Sequence, residues 1–278
     1  MTPLLVVDGD SFAHRAYHAI PKSIRRGDGG AGNMLYGFSN MLLRLWNDER
    51  PRSVLVAWDS LETPTYRHEA LAVYQSGREF EPDLLDQLSL MPALVASAGL
   101  AVAKAPGYEA DDFLGAAVAS EEGAGGTVLV ATSDRDAFQL ASDKTTILMP
   151  KRGVSELQRV GPDEVRERYG VSPEQVPDFI ALRGDPSDRL PGARGVGPRR
   201  AADLLAQYGS LDALLEEGRF AAEADALRLY REIATLDRAA PLPPLPDVHP
   251  DWSRAAAHAR ELGMEGLAGR FAEAATWS

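Results

Sequence analysis

Three short apolar runs, each ending in an acid, mark the first half of the chain: LLVVD at 4–8, SVLVAWD at 53–59 and TVLVATSD at 127–134. Their apolar character is continuous rather than alternating, which predicts strands buried on both faces of a parallel sheet. Between them, helical spacing of apolar positions near 34–46, 83–98 and 110–121 predicts helices. The fold class that follows is α/β, a mostly parallel central sheet flanked by helices.

After about residue 160 the strand pattern stops. GPDEVRERYG, SPEQVPDFIALRG, GPRRAADLLAQYG and SLDALLEEG each start with or near Ser, Pro or Asp, and several stop at Gly, as helix ends do. The proline-rich APLPPLPDVHP at 240–250 cannot continue a helix, and it leads to a last amphipathic segment around 253–275. The pattern predicts an α/β core over 1–170 and a helical region over 171–278. The polar stretch 60–85 falls between a strand and a helix at one sheet edge, where it would form a loop or arch over a crevice. No solenoid repeat, heptad run or low-complexity tract is present.

Composition narrows the class without changing this picture. A chain of 278 residues, 45% hydrophobic and 25% charged, can bury a large core in one or two domains and is not of disordered type. It has no cysteine, which excludes disulfides, thiolate zinc sites and cysteine nucleophiles and fits a reducing compartment. No apolar run approaches a membrane span, and MTPLLVVDGD lacks the basic start and cleavage site of a signal peptide, so a cytoplasmic location is expected.

In open α/β sheets ligands bind beyond the carboxyl ends of the strands, where Asp8, Asp59 and Asp134 fall. Any one of them reads equally well as a turn former or helix cap. GYEADDFLGAAV adds Glu109, Asp111 and Asp112 at a helix start, where acids suit the macrodipole without any metal. TSDRD adds Asp136, and GDPSD adds Asp185 and Asp188 at a spacing that shares one face of a helical turn. So many acids on one edge repel one another unless cations sit between them. Oxygen ligands without His or Cys select Mg²⁺ or Mn²⁺ over zinc. Two such ions suffice to activate a water and neutralise a phosphate under attack. Setting these nine acids aside takes the formal charge from −12 to −3, so most of the negative charge is accounted for by one centre.

Immediately after Asp188 comes GARGVGPRRAADLLAQYGS, the form of a helix-hairpin-helix element. Gly195, Val196 and Gly197 make the turn, Pro198 opens the helix, and Arg199 and Arg200 add charge. Such glycines let a backbone approach a phosphate closely, and a helix N-terminus attracts it. Taken alone the turn is equally a helix connector, and it is not a dinucleotide fingerprint, because no predicted strand precedes it. Its place beside the acid pair suggests two grips on one polymer: ions held by the acids on one phosphate, the hairpin on another.

The stretches VVDGDSFAHRAYHAIP, VAWDS, TYRHEALAVYQSGR, GYEADD, TSDRDAFQL and GDPSDRLPGARGVGPRRA occur in this order over roughly 4–215. Together they resemble the 5′ nuclease family, which includes flap endonucleases, phage 5′ exonucleases and the N-terminal nuclease part of bacterial DNA polymerase I. The resemblance implies a PIN-like nuclease core with a helix-hairpin-helix (helix-three-turn-helix) region. It implies two-metal hydrolysis of DNA with Mg²⁺ or Mn²⁺, Asp8, Asp59, Glu109 and Asp111 matching acids at one ion and Asp134, Asp136 and Asp188 at the other. Asp112 and Asp185 match further acids, ligating directly or through water. Arg15 matches a basic residue near the scissile phosphate, Tyr74 and Arg78 fall in the arch, and the hairpin carbonyls of Gly195 to Gly197 would hold K⁺ against a duplex phosphate. Solvated surface charge is the alternative for Arg15 and Arg78, and packing for Tyr74. The implied partners are branched or 5′-ended DNA (flap, nick or overhang) and RNA primer–DNA hybrids, with no membrane, and the chain is expected to be a monomer acting in replication and repair. With no polymerase segment after residue 278, it reads as free-standing or excised. One departure stands out: relatives usually carry an arch lysine after the tyrosine, where this chain has Gln75.

Three other readings stay open at this level. VVDGDS also fits the Asp-x-Asp of haloacid-dehalogenase-like phosphatases, with Asp8 as nucleophile and Asp10 as acid/base, Thr132 and GDPSD mimicking further motifs. That reading leaves Glu109, Asp111, Asp112, Asp136 and the hairpin without a role. A DNA-binding member that has lost its chemistry is supported only by Gln75. A PIN-type ribonuclease is usually shorter and lacks the hairpin half.

Overall fold

The structure, a computed structural model, describes residues 2–61, 63–77, 79–152 and 156–277. β1 (Leu4–Asp8) leads into α1 (Gly9–Ala19) and α2 (Asn33–Glu49); β2 (Ser53–Ala57) is followed by α3 (Tyr66–Ala70), α4 (Pro82–Ser97) and β3 (Ala101–Ala103). Then come α5 (Ala110–Gly123), β4 (Val128–Ala131), β5 (Thr145–Arg152) and β6 (Glu156–Val160). The six strands form one sheet in the order β3-β2-β1-β4-β5-β6, parallel except for β6, which runs antiparallel to β5. The chain winds outward from β1 through β2 to β3 and then crosses to the other side at β4. The switch point, where such sheets open a crevice, therefore lies between the ends of β1 and β4.

The continuous apolar character of β1 follows from burial on both sides. Leu4 and Val6 enter one core with α5, and Leu5 and Val7 enter the other with α1 and α2. Burying each such side chain stabilises by roughly 2 kcal/mol, so neither face tolerates a polar residue there. The predicted strands at 53–59 and 127–134 end earlier, at Ala57 and Ala131, which leaves Asp59 and Asp134 in the loops beyond the sheet. β3 has only three residues, and β5 and β6 pair antiparallel with mixed polarity and a register shift between Pro150 and Arg152. Neither has the uniform apolar run that marks the central strands.

Helices α6 (Pro162–Tyr169), α7 (Val176–Arg183), α8 (Pro198–Tyr208), α9 (Leu211–Glu216) and α10 (Ala224–Ala234) cover the α5 side of the sheet. The final segment is two helices, α11 (Trp252–Glu261) and α12 (Glu265–Ala274), rather than one. They break at Gly263, whose φ of +67° and contact with Gly27 leave no room for a side chain: a Cβ would sit 2.4 Å from the Gly27 Cα. These two helices do not stay with α6–α10. The proline-rich connector, bonded from Val248 N to the Arg52 carbonyl at 2.9 Å, carries them across to the opposite face, where they pack on α2 and α4.

Candidate active site

Four backbone and side-chain devices gather the acids at the carboxyl edge of the sheet. Asp8 caps α1, its Oδ1 accepting from Ser11 N at 2.9 Å, while its Oδ2 accepts from the Thr132 hydroxyl at 2.6 Å. The same hydroxyl accepts from Asp134 N at 2.9 Å, so one threonine after β4 fixes acids from two strands. Asp10 Oδ2 accepts from Asp59 N at 2.7 Å, and Asp59 Oδ1 accepts from Ala110 N at 2.7 Å, tying the end of β2 to the start of α5. Asp134 Oδ1 in turn accepts from Asp136 N at 2.9 Å.

The result is a cavity of about 350 Å³ lined by Asp8, Asp10, Asp59, Glu109, Asp111 and Asp134, with Gln75 at its rim. Burial raises the Asp8 carboxyl to about 7, the hydrogen bonds from Thr132 and Ser11 opposing and the charges of Asp59 and Asp134 adding to the rise. Burial likewise lifts Asp10 and Asp111 well above the usual carboxylate range, with Asp59 the foremost charge acting on Asp10 and Asp134 on Asp111. Glu109 is raised by burial against the opposing charge of Arg67. Asp136 extends the cluster: burial raises it too, reinforced by Asp134, Asp188 and Asp185. Asp134 thus stands between two acidic lobes, one in the cavity and one toward the loop that carries Asp185 and Asp188.

Unsatisfied negative potential is the property of a cation site. Asp111 Oδ1 is buried with no hydrogen-bond partner, an arrangement that costs free energy unless a cation or proton meets it. The donors are all carboxylate oxygens, which fits a hard divalent ion. Among the described residues no three such side chains already converge on one point as a preformed cage.

Several of the expected site residues have partners within the protein. Asp112 is fully buried and both its oxygens are engaged, Oδ1 by Arg67 Nη2 at 2.7 Å and Oδ2 by Arg67 Nη1 at 2.9 Å, with Asp237 N and Glu109 N as further donors. It anchors Arg67 instead of reaching the cavity. Asp185 spends its oxygens on Ser187 and on Arg183, shaping its own turn. Tyr74 is 3% exposed and donates its hydroxyl to Glu109 Oε2 at 3.0 Å, so it packs beneath the site and has no surface to offer DNA. Arg78 lies outside the described residues. Arg15 is half-buried on α1, one turn after the cavity-lining Ser11 and so on the same helix face.

The hairpin has the expected form. Gly195 adopts φ +73°, Gly197 precedes Pro198 at the head of α8, and nothing lies within 4 Å of a Cβ built on either glycine. Val196 is buried as its anchor, and Arg199 and Arg200 are exposed. Arg200 Nη1 donates to the Gly195 carbonyl at 3.2 Å, so a K⁺ ion at that carbonyl would have to displace a guanidinium.

Sequence reasoning missed Asp10 in this cluster, although the Asp-x-Asp spacing after β1 was a usable signal. It also missed Lys104, which follows β3 and acts electrostatically on Asp10. Arg67 carried no signal at all: an arginine in a polar stretch reads as solvated, yet it is 2% exposed and bonds Glu109, Asp112 and the carbonyl of Ile233.

Residues 3–170 match the family model for the 5′-3′ exonuclease N-terminal resolvase-like domain, and residues 171–252 that for the 5′-3′ exonuclease C-terminal SAM fold. DNA polymerase I of Mycobacterium tuberculosis is 41% identical over 255 residues, covering 88% of this chain and 28% of the relative. The thermostable DNA polymerase I of Thermus thermophilus is 39% identical over 214 residues, 77% of this chain and 25% of the relative. The chain therefore spans about a quarter of the length of these relatives. In fold it is similar to a bacteriophage T5 flap endonuclease crystallised with DNA and metal ions, with a TM-score of 0.71 and 17% identity over 99% of this chain and 100% of that one. A T5 5′-exonuclease with bound zinc gives a TM-score of 0.70 at 17% identity over 98% of this chain and 99% of that one. The phosphatase reading falls away, and on sequence and fold together the chain belongs to the 5′-3′ exonuclease family.

Proposed function

We propose that this chain is a divalent-metal-dependent, structure-specific 5′ nuclease that cuts branched or 5′-ended DNA near the junction of single and double strand. The observation that carries the reading is the cavity lined by Asp8, Asp10, Asp59, Glu109, Asp111 and Asp134 at the switch point of the sheet, with a buried Asp111 oxygen left without a hydrogen-bond partner. Asp8, Asp10, Asp59, Glu109 and Asp111 would hold one ion, and Asp134, Asp136 and Asp188 the other, Mg²⁺ or Mn²⁺ by the hardness of the donors. Bound there, such ions supply charge neutralisation and an activated water.

The rest of the chemistry is done by the chain itself. Thr132, Ser11 N and Asp59 N hold Asp8 and Asp10 in fixed orientations before any substrate arrives. Arg67 and Tyr74 hold Glu109, from Nη1 at 3.3 Å and the hydroxyl at 3.0 Å. The glycines of the hairpin and the N-terminus of α8 bind a duplex phosphate some residues away, so the cut is placed by backbone geometry and not by base identity. The products are 5′-phosphate and 3′-hydroxyl ends, and the biological role is removal of flaps or RNA primers.

End-labelled 5′-flap, nicked and blunt duplexes incubated with Mg²⁺, Mn²⁺ or EDTA test this. Cleavage dependent on the metal, and lost in Asp134→Asn/Asp136→Asn while flap binding persists, is expected; cleavage retained by that double variant refutes the assignment.

A further inference from the structure

Two strained residues face each other beside the acid cluster. Among the described residues only four other than glycine have positive φ, and two of them, Gln75 at +47° and Arg189 at +57°, flank the contact between the arch segment and the loop at 185–190. That loop is closed by the Asp185 and Leu190 backbones, which exchange hydrogen bonds of 2.9 and 2.8 Å and leave Arg189 in the left-handed region. A Cβ in that conformation is costly for arginine, where glycine or asparagine would sit more easily. Strain of this kind is held by the surrounding structure and clusters at functional sites.

The Arg189 side chain is exposed and forms no ion pair among the described residues, unlike Arg183, Arg52 or Arg67. Its direction is set: a Cβ built on Gly77 would lie 3.0 Å from its Nη2. Gly77 and Gln75 belong to the wall of a second cavity, about 680 Å³, which runs between the arch segment and the end of β2 and reaches Asp59 and Glu109. Gln75 is neutral and donates to Asp188 Oδ1 at 3.0 Å, so the arch offers no cation at that position. A strand led through this space toward the acids would pass the Arg189 guanidinium.

We propose that Arg189 contacts a phosphate of the single-stranded 5′ segment as it enters between the arch and β2, and that it favours substrates having such a segment. This deepens the nuclease reading and rests on it. In that reading the duplex is the hairpin's ligand and the single-stranded segment is Arg189's, so a nick without a flap would use the hairpin and leave Arg189 idle.

The test compares the full chain with Arg189→Asn, Arg189→Ala and Arg189→Lys on a 5′-flap and on a nick of the same sequence. In Mg²⁺, kcat/KM on the flap should fall about 10- to 100-fold in the Asn and Ala variants, the worth of one charged hydrogen bond. Cleavage of the nick should change less than threefold, and Lys should recover most of the loss. Flap binding followed by fluorescence anisotropy in EDTA should lose about one unit of salt slope. Arg189→Asn should also melt about 2 °C higher than the parent, because strain is relieved. Equal losses on flap and nick, an unchanged salt slope, or a lowered melting point in parallel with activity overturns the proposal. A parent chain that cuts neither substrate overturns the nuclease reading instead.

Discussion

Arg67 grips Asp112 through two hydrogen bonds, of 2.7 and 2.9 Å, with the arginine 2% exposed and the aspartate fully buried. The pair joins α3 at the foot of the arch to α5, and Arg67 Nε reaches the Ile233 carbonyl of α10 at 2.9 Å. Removing one partner leaves a buried charge uncompensated, so Arg67→Ala and Asp112→Ala should each destabilise by about 3–5 kcal/mol in denaturant melts. Arg67→Met/Asp112→Leu should lose much less than the two single changes together, because no lone charge remains. Simple additivity would show that the two residues do not act as a pair.

The metal-free protein should grow less stable as pH rises from about 4 to 7. The Asp8 carboxyl, pushed up to about 7, keeps its proton when folded through a range in which the unfolded chain has lost it. The native state then binds the extra proton, and stability falls with rising pH until the folded group too has ionised. Asp8→Asn removes the titration. In EDTA its advantage over the parent should be near zero at about pH 4 and reach on the order of a few kcal/mol by pH 8, while cleavage is lost. Adding Mg²⁺ at pH 8 should narrow the gap by stabilising only the parent; a gap independent of pH would place its cause elsewhere.

Gln75→Lys should raise kcat/KM on flaps roughly threefold to tenfold, about 1 kcal/mol for one further charged contact. The glutamine already spans Tyr74 and Asp188, at 2.9 and 3.0 Å, so a lysine there is well placed to add charge at the mouth of the cavity. Single-turnover cleavage across a salt series reads this directly, and a rate that stays flat would show that the neutral arch is no handicap.

Arg199→Ala/Arg200→Ala should weaken duplex binding for every sequence alike and flatten the salt dependence by about one to two units. Both side chains are exposed at the start of α8, and Arg200 also covers the Gly195 carbonyl. Anisotropy titrations between low and moderate salt measure the slope. An unaltered slope would remove the hairpin from the interface.

How much of this was legible depended on whether burial leaves a one-dimensional trace. Burial of β1, β2 and β4 on both faces forces unbroken apolar runs, and the runs were readable. The acids at their ends were readable for the same reason, since a strand end fixes where the next side chain emerges. β3 and β6 were not, because an edge strand half open to water needs no such run, and in β5 the buried Ile147 to Met149 are flanked by polar residues and Pro150. Asp112 looked like a ligand because nothing in GYEADD reveals that Arg67, 45 residues earlier, has claimed both of its oxygens. For Tyr74 the arch position and the packing alternative could not be told apart in the sequence; its ring is covered and its hydroxyl serves Glu109.

The return of α11 and α12 to the far side of the sheet has a practical consequence. Their ring stack, Trp252 on Phe271 at 5.8 Å, also presents Trp252 edge-on to Trp46 of α2. The family match ends at residue 252, so a fragment trimmed to that limit would uncover Trp46 and the apolar flank of α2 and α4. Such a fragment would be prone to aggregate while every acid of the cluster was still in place, and its inactivity would say nothing about catalysis.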